Sequence, residues 1–294
     1  MRRQARSALR SYLYVPGDAG DRLLKAGGRG ADAVIADLED AVAPAGRPAA
    51  RVAVSKWIHG ARPRTTERWV RVNAGNEAAT DLRAIYAPGL DGVVVPKVDN
   101  VDELNHMAST LAEIVQVGDA RPAVMALIET ARGVQNVESI AAHPVVDFIQ
   151  LGEIDLAADL GLDPDPAAGS PELLHVRSRV VVAAAAARIA PPIGAVTAEY
   201  QDLDGLRTST IQLRRLGFVG RAAIHPNQLS VIHDAFTPSA DEVRLAMNLV
   251  ASYEQVIAEG AGVMTDSSGR MIDRAVVRAA QRTIAFAANR DPRT

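Results

Sequence analysis

The chain has 294 residues, 48% of them hydrophobic and 4% aromatic, with a formal net charge of −3. Such a length supplies one large core or two modest ones, while the slight negative charge and scarce aromatics argue against a nucleic-acid binder, which needs a basic field and stacking platforms. The absence of cysteine excludes disulfides, thiolate nucleophiles and cysteine-ligated metal centres.

Chemistry must therefore run on carboxylates, His, Lys, Arg or hydroxyls. The longest apolar run, Val180 to Ala187, is too short to span a bilayer and is closed by Arg188. Arg2, Arg3, Arg6 and Arg10 precede the first acid, Asp18, as in a transit peptide, but residues 12–15 already read as strand. A cytoplasmic protein with no membrane or nucleic-acid partner is expected.

Short β-rich runs occur in order at 12–15, 33–38, 69–73, 92–98, 123–128, 147–151, 192–196 and 221–225. Helical composition or caps mark 22–29, 48–59, 81–86, 101–117, 133–142, 171–189 and 204–216 between and around them. Eight strands alternating with helices predict an α/β fold, the (β/α)₈ TIM barrel. A doubly wound sheet is the runner-up, weakened by the missing Gly-x-Gly-x-x-Gly fingerprint. The turn-rich stretch 161–169 reads as an active-face loop insertion, followed by the helix start Ser170-Pro171-Glu172. Beyond Pro226, helical patterns at 241–259 and 271–289 flank a Gly-, Ser- and Asp-rich loop at 260–270. The expected organisation is a barrel over 1–235 and a C-terminal helical extension over 236–294 that packs on a neighbouring subunit.

Reactive groups in such a barrel collect where strands end. Glu129 and Asp155 each close an apolar run, and neighbouring strands roughly 4.8 Å apart would bring both within reach of one divalent cation. Alone, Glu129 could be a carboxylate satisfied by backbone N–H groups. Two like charges together call for a cation or a proton, and hard oxygen ligands favour Mg²⁺ or Mn²⁺ over zinc.

Asp37-Leu38-Glu39-Asp40 reads equally as a capping cluster or as a support for metal-bound water. Arg71 is a guanidinium inside an apolar strand and needs an anionic partner, either that acid cluster or a substrate carboxylate or enolate oxygen. Lys97 invites a Schiff-base reading, but beside a metal pair an electrostatic lysine is preferred. His225, before Pro226, is either a loop-ordering hydrogen-bond donor or a ligand contact.

With these motifs assembled, the chain resembles the β-subunit of citrate lyase and the related malyl-CoA and citramalyl-CoA lyases. The resemblance runs through Arg10-Ser11-Tyr12-Leu13-Tyr14-Val15-Pro16-Gly17, Asp37-Leu38-Glu39-Asp40-Ala41-Val42, Val70-Arg71-Val72-Asn73, Val95-Pro96-Lys97 and Leu127-Ile128-Glu129-Thr130. It continues in Gly152-Glu153-Ile154-Asp155-Leu156 and in the stretch from Gly217 to Pro226.

The resemblance implies a barrel whose Mg²⁺ is held by Glu129 and Asp155, with Arg71 on the substrate oxygens. Family members cleave or form a carbon–carbon bond in a 3-hydroxyacyl thioester, releasing an acyl thioester and a 2-oxo acid. Some hydrolyse the thioester, and many assemble as homotrimers or hexamers. Ser268-Gly269-Arg270-Met271-Ile272-Asp273 is similar to a segment that supplies a catalytic aspartate, often to a neighbouring subunit, which makes Asp273 the candidate acid/base. Arg274-Ala275 follow where relatives often carry proline, and Gly220-Arg221 stands where many carry Gly-Lys.

The expected site thus has Glu129 and Asp155 on the metal and Arg71, Asp273, Glu39 and Asp40 as catalytic groups. Arg22, Lys25, Lys97, Arg221 and His225 join Arg71 as contacts to a coenzyme A thioester. A carrier-protein thioester substrate within a citrate lyase complex, a metal-dependent aldolase of free 2-oxo acids, and a non-catalytic acyl-thioester-binding barrel are the alternatives.

Overall fold

The computed structural model describes residues 9–61, 65–162, 171–260, 262–266 and 269–288. All the expected barrel strands form: β1 (Ser11–Pro16), β2 (Ala33–Asp37), β3 (Glu67–Arg71), β4 (Gly92–Val95), β5 (Ala123–Ile128), β6 (Phe148–Leu151), β7 (Ile193–Gly194) and β8 (Gly220–Ala223). They pair in parallel in chain order, and β8 returns to β1 to close the barrel. Strands β2, β4, β5 and β6 are buried along their whole length. That explains their continuous Val, Ile, Leu and Ala runs, because a helix layer covers one face and the barrel interior the other.

Alternation along the strands sorts side chains between these two compartments. Tyr12, Ala33, Ile35, Trp69, Val94, Met125, Leu127, Phe148 and Ile193 form the interior cluster, whereas Leu13, Val34, Val70, Val93, Val124 and Ile149 belong to the larger core under the helices. Trp69 meets Tyr12 edge-on at 5.7 Å and Phe148 at 5.6 Å between ring centroids. Edge-to-face pairs contribute about 0.5–1.5 kcal/mol each beyond area burial. Gly92 makes room for the indole, since a Cβ there would lie 2.3 Å from Trp69 Cε3.

The connecting segments depart from the sequence expectation in several places. The helix expected at 133–142 is two, Ala131–Gln135 and Val137–Ala142, interrupted at Asn136 with φ −98° and ψ 8°. Helices Glu153–Asp159 and Gln228–Phe236 were not expected, and the first moves Asp155 off the strand end into a helical turn. Strand β7 is two residues long and meets β6 through Gln150↔Ile193. Pro191 and Pro192, which lack N–H donors, precede it and shorten its ladder. Arg2, Arg3, Arg6, Ser170 and most of the 161–169 insertion lie outside the described residues.

The chain divides into two compact units, one ending at Phe236 and the other beginning at Thr237. The second contains helices Ala240–Ala258 and Arg274–Ala288 and an antiparallel pair of Met264–Thr265 with Met271–Ile272. Tyr253, Ile272 and Val277 are its buried core. Residues 271–272, expected to open the last helix, are strand instead. Among the described residues no helix is long and apolar enough to cross a membrane.

Candidate active site

Parallel register places charged side chains side by side at the C-terminal mouth of the barrel. Asp37, the last residue of β2, pairs in register with Arg71, the last residue of β3. Their side chains meet through two bonds of 2.7 Å, from Arg71 Nε and Nη2 to the two carboxylate oxygens. Asp37 also accepts from the backbone N–H groups of Glu39 at 3.0 Å and Ala41 at 3.2 Å, which folds the acidic turn back over the strand end. Burial alone would weaken the hold of Arg71 on its proton. The Asp37 carboxylate outweighs this and keeps the guanidinium above its ordinary range. Arg71 Nη1 lies 3.2 Å from Glu39 and 3.4 Å from Asp40 and the guanidinium sits over the Tyr14 ring, so the acid cluster is its partner in this structure.

Lys97 follows β4 in a left-handed conformation, with φ 53°. From there its backbone N–H donates to Glu129 Oε1 at 2.8 Å and its ammonium reaches Glu39 Oε1 at 2.5 Å. The hydrogen bond that the ammonium donates to Glu39 raises the lysine pKa, so the amine is held as a cation and the electrostatic reading is favoured over a Schiff base. Burial raises the pKa of Glu39. For Asp40, burial acts the same way but is overcome by the hydrogen bond with Glu39 and the charges of Arg71 and Lys97, which lower it.

Glu129 follows directly after β5 and is 2% exposed. Strands β5 and β6 are neighbours, with Ile128 opposite Leu151, so the next pair in the row is Glu129 and Gly152. A Cβ at Gly152 would lie 2.7 Å from Glu129 Cβ and 2.9 Å from its Oε2, so this carboxylate fits only beside a glycine. Burial, and then the nearby charge of Asp155, push the Glu129 pKa up to about 8. Asp155 stands in the first turn of Glu153–Asp159. That helix is anchored by Glu153, which takes two bonds from the buried Arg177, and by Asp159, which accepts from the Ala131 N–H at 2.7 Å.

Tyr14, Arg22, Asp37, Asp40, Arg71, Glu129, Gln150, Glu153 and Asp155 line one cavity of about 570 Å³, with Leu127, Val196 and Ile224 among its apolar walls. Neither Glu129 nor Asp155 is ion-paired, and Glu129 Oε2 makes no hydrogen bond, among the described residues. Two converging carboxylates without a cationic partner, one of them buried and inclined to take up a proton, form a donor set suited to a hard divalent cation. No cluster of three or more His, Asp or Glu side chains suited to a metal occurs among the described residues, so a cation held by Glu129 and Asp155 would need further ligands from water or a bound oxygen compound.

Other expected contacts are distributed differently. Arg22 lines this cavity, whereas Lys25 is exposed and lies 3.5 Å from Asp21. Lys97 lines a separate cavity on the side of helix Val101–Ile114. His225 stacks on Tyr200 at 4.9 Å, and its Nδ1 accepts from Asn227 N–H, a loop-ordering role in which the ring is the acceptor rather than the expected donor. Arg221 does not reach the mouth. Tyr12 faces inward and pairs with Ala222, so Arg221 is turned outward under helix Leu203–Leu216, where it bonds Ser209 and Thr210. Asp273 caps the last helix, its Oδ1 accepting from Ala275 and Val276 N–H at 2.8 and 3.1 Å.

Tyr14 and Gln150 escaped the sequence reading. The Tyr14 hydroxyl, its pKa raised by burial, donates to Gln150 Oε1 at 3.0 Å across the barrel mouth. Their signal was present, since both occupy inward positions of apolar strands.

Residues 10–226 match the HpcH/HpaI aldolase/citrate lyase family. A (3S)-malyl-CoA thioesterase of Cereibacter sphaeroides is 32% identical over 95% of this chain and 94% of the relative. The citrate lyase subunit beta of Leuconostoc mesenteroides subsp. cremoris is 31% identical over 95% of this chain and 93% of its own length. Among solved structures, CitE from Mycobacterium tuberculosis in complex with magnesium, acetoacetate and coenzyme A superposes with a TM-score of 0.76 at 31% identity, over 96% of this chain and 99% of that one. With barrel, strand-end carboxylates and near-full-length similarity in agreement, the chain belongs to the HpcH/HpaI aldolase/citrate lyase family.

Proposed function

We propose that this protein is a Mg²⁺-dependent carbon–carbon lyase, or thioesterase, acting on a 3-hydroxyacyl-CoA such as malyl-, citramalyl- or citryl-CoA. The observation that carries the reading is the convergence of Glu129, Asp155 and Arg71 on one cavity in a chain similar to a malyl-CoA thioesterase and to CitE. Glu129 and Asp155 would hold the metal, with Mn²⁺ as a substitute. When bound, it supplies positive charge for the oxygens of the 2-oxo acid.

The chain's own groups do the rest. Asp37 fixes the Arg71 guanidinium so that its charge faces oxygens on which negative charge develops. In the cleavage direction the 3-hydroxyl gives up its proton, the bond between C2 and C3 breaks, and its electron pair passes to the thioester as an enolate. Protonation at carbon then yields the acyl-CoA beside the 2-oxo acid. Leu127, Val196 and Ile224 narrow the access of water to that enolate. Glu39 and Asp40, held by Lys97, set the field around Arg71, and Arg22 is the thioester contact at the cavity. Asp273 is the proposed acid/base, a role that rests on the resemblance of its segment.

Similarity to the citrate lyase β-subunit favours a second reading, in which the thioester is carried by an acyl-carrier protein. The protein is further proposed to be a cytoplasmic homo-oligomer, a trimer or hexamer. The test is an assay of the purified chain with malyl-, citramalyl- and citryl-CoA, with Mg²⁺ and with EDTA, product identity being read by mass spectrometry. Release of acyl-CoA and a 2-oxo acid, or of free acid and coenzyme A, is expected only with the metal. Equal turnover in EDTA would refute the assignment, and turnover restricted to carrier-protein thioesters would select the second reading.

A further inference from the structure

On the flank of the barrel a second cavity, of about 340 Å³, is lined by Leu174 and Arg177 of helix Leu174–Ala187, Ser209, Leu213 and Leu216 of helix Leu203–Leu216, and Arg221 of β8. Glu153 borders both this cavity and the one at the barrel mouth. The outward register of Arg221 accounts for a guanidinium here, in a position only 5% exposed.

Its hydrogen bonds go to neutral acceptors: Nε to the Ala195 carbonyl at 3.0 Å, and Nη1 to the Ser209 and Thr210 hydroxyls at 2.7 and 2.8 Å and the Leu206 carbonyl at 3.4 Å. Nη2 makes no hydrogen bond, and no carboxylate pairs with Arg221, among the described residues. Burial accordingly pulls its pKa down to about 10. The other buried guanidinium lining this cavity, Arg177, is engaged by Glu153 through bonds of 2.7 and 2.5 Å. Arg177, Arg215 and Arg221 thus face the cavity with Glu153 as the opposing charge among its lining residues.

A buried cation without a counter-ion is costly, and an anion arriving at Nη2 relieves that cost. Leu174, Leu213 and Leu216 make the walls apolar, which favours an anion with a hydrocarbon body over a fully hydrated inorganic one. We propose that this flank cavity is a binding site for a small organic carboxylate, its carboxylate on the Arg221 guanidinium and its hydrocarbon body against Leu174, Leu213 and Leu216.

The test is isothermal titration of the full-length chain in EDTA with hexanoate, hexylamine and inorganic phosphate. Hexanoate should saturate below about 10 mM, with hexylamine silent and phosphate at least about tenfold weaker. Leu216→Glu, which sets a competing carboxylate in the cavity, and Leu174→Trp, which fills it from a half-exposed position, should each weaken hexanoate at least about tenfold with unchanged far-UV circular dichroism. Glu129→Gln should leave the affinity unchanged. Lack of saturation by hexanoate, equal binding of phosphate, indifference to both cavity variants, or loss of binding in Glu129→Gln would each overturn the proposal.

Discussion

Adding one methyl group at Gly152 tests whether the close approach of β6 to Glu129 matters for function. Gly152 has φ −103°, a conformation open to alanine, so Gly152→Ala acts through contact and not through backbone strain. Its Cβ would stand 2.7 Å from Glu129 Cβ, 2.9 Å from Oε2 and 3.3 Å from Leu127 Cδ1. Carbon atoms settle at roughly 3.5–4.0 Å, so the Glu129 side chain must retreat by about 1 Å. Metal–ligand distances tolerate about 0.2 Å, and a displacement of about 1 Å at a reacting centre costs on the order of 10²-fold in rate, equivalent to about 2.7 kcal/mol. Overpacking lowers stability by a further amount of about 1–3 kcal/mol. We expect kcat/KM with the best thioester to fall about 100-fold and the Mg²⁺ concentration for half-maximal activity to rise. Gly262→Ala, where an added Cβ meets nothing within 4 Å, serves as the control. Retention of kcat/KM within about threefold, with an unchanged Mg²⁺ requirement, would refute the argument that Gly152 exists to seat Glu129.

Glu129 binds its proton at about 8 in the metal-free fold against 4.5 for an unperturbed glutamate, so its contribution to stability is fully present below about pH 4.5 and is lost as pH rises through about 8. In EDTA the melting temperature should fall across that window, and Glu129→Gln should lack that component; identical pH profiles for the two proteins would remove the shift. Arg71→Lys keeps a charge but loses the two-bond grip on Asp37, and should cost about 1.5–3 kcal/mol of stability and on the order of 10²-fold in kcat/KM; near-normal kinetics would reduce Arg71 to a point charge. Asp273→Ala should retain Mg²⁺ binding, read by titration calorimetry, and lose most turnover. Mixed oligomers with Arg71→Ala should regain part of it, and an unimpaired Asp273→Ala would take Asp273 out of the mechanism.

The strand order and the adjacency of Glu129 to the Asp155 segment were legible because periodicity and parallel pairing are local rules. Apolar runs such as Ala123–Ile128 carry their own burial. Asp155 was misassigned to a strand because Gly152 ends β6 and begins a helix within one residue, a change no composition window resolves. Arg221 was misread because a residue's charge is visible in sequence while its side of the sheet depends on register with β1. Gln150 and Tyr14 were missed for the converse reason: polar groups inside apolar strands look like exceptions until both are seen to face the same opening.

Lys97 carries a constraint on how this barrel can change over time. A lysine in the left-handed region lies roughly 1–2 kcal/mol above ordinary backbone, yet that turn aims its N–H at Glu129 and its ammonium at Glu39. Glycine at this position would ease the turn and preserve the amide contact while leaving Glu39 with Arg71 alone as its cation. Arginine would keep a cation but present it through a longer and planar head, and asparagine would keep the turn but forfeit the charge. Backbone shape and side-chain charge are therefore inherited together at one codon, so drift there must pass through a form that is either easier to fold or better poised, but not both.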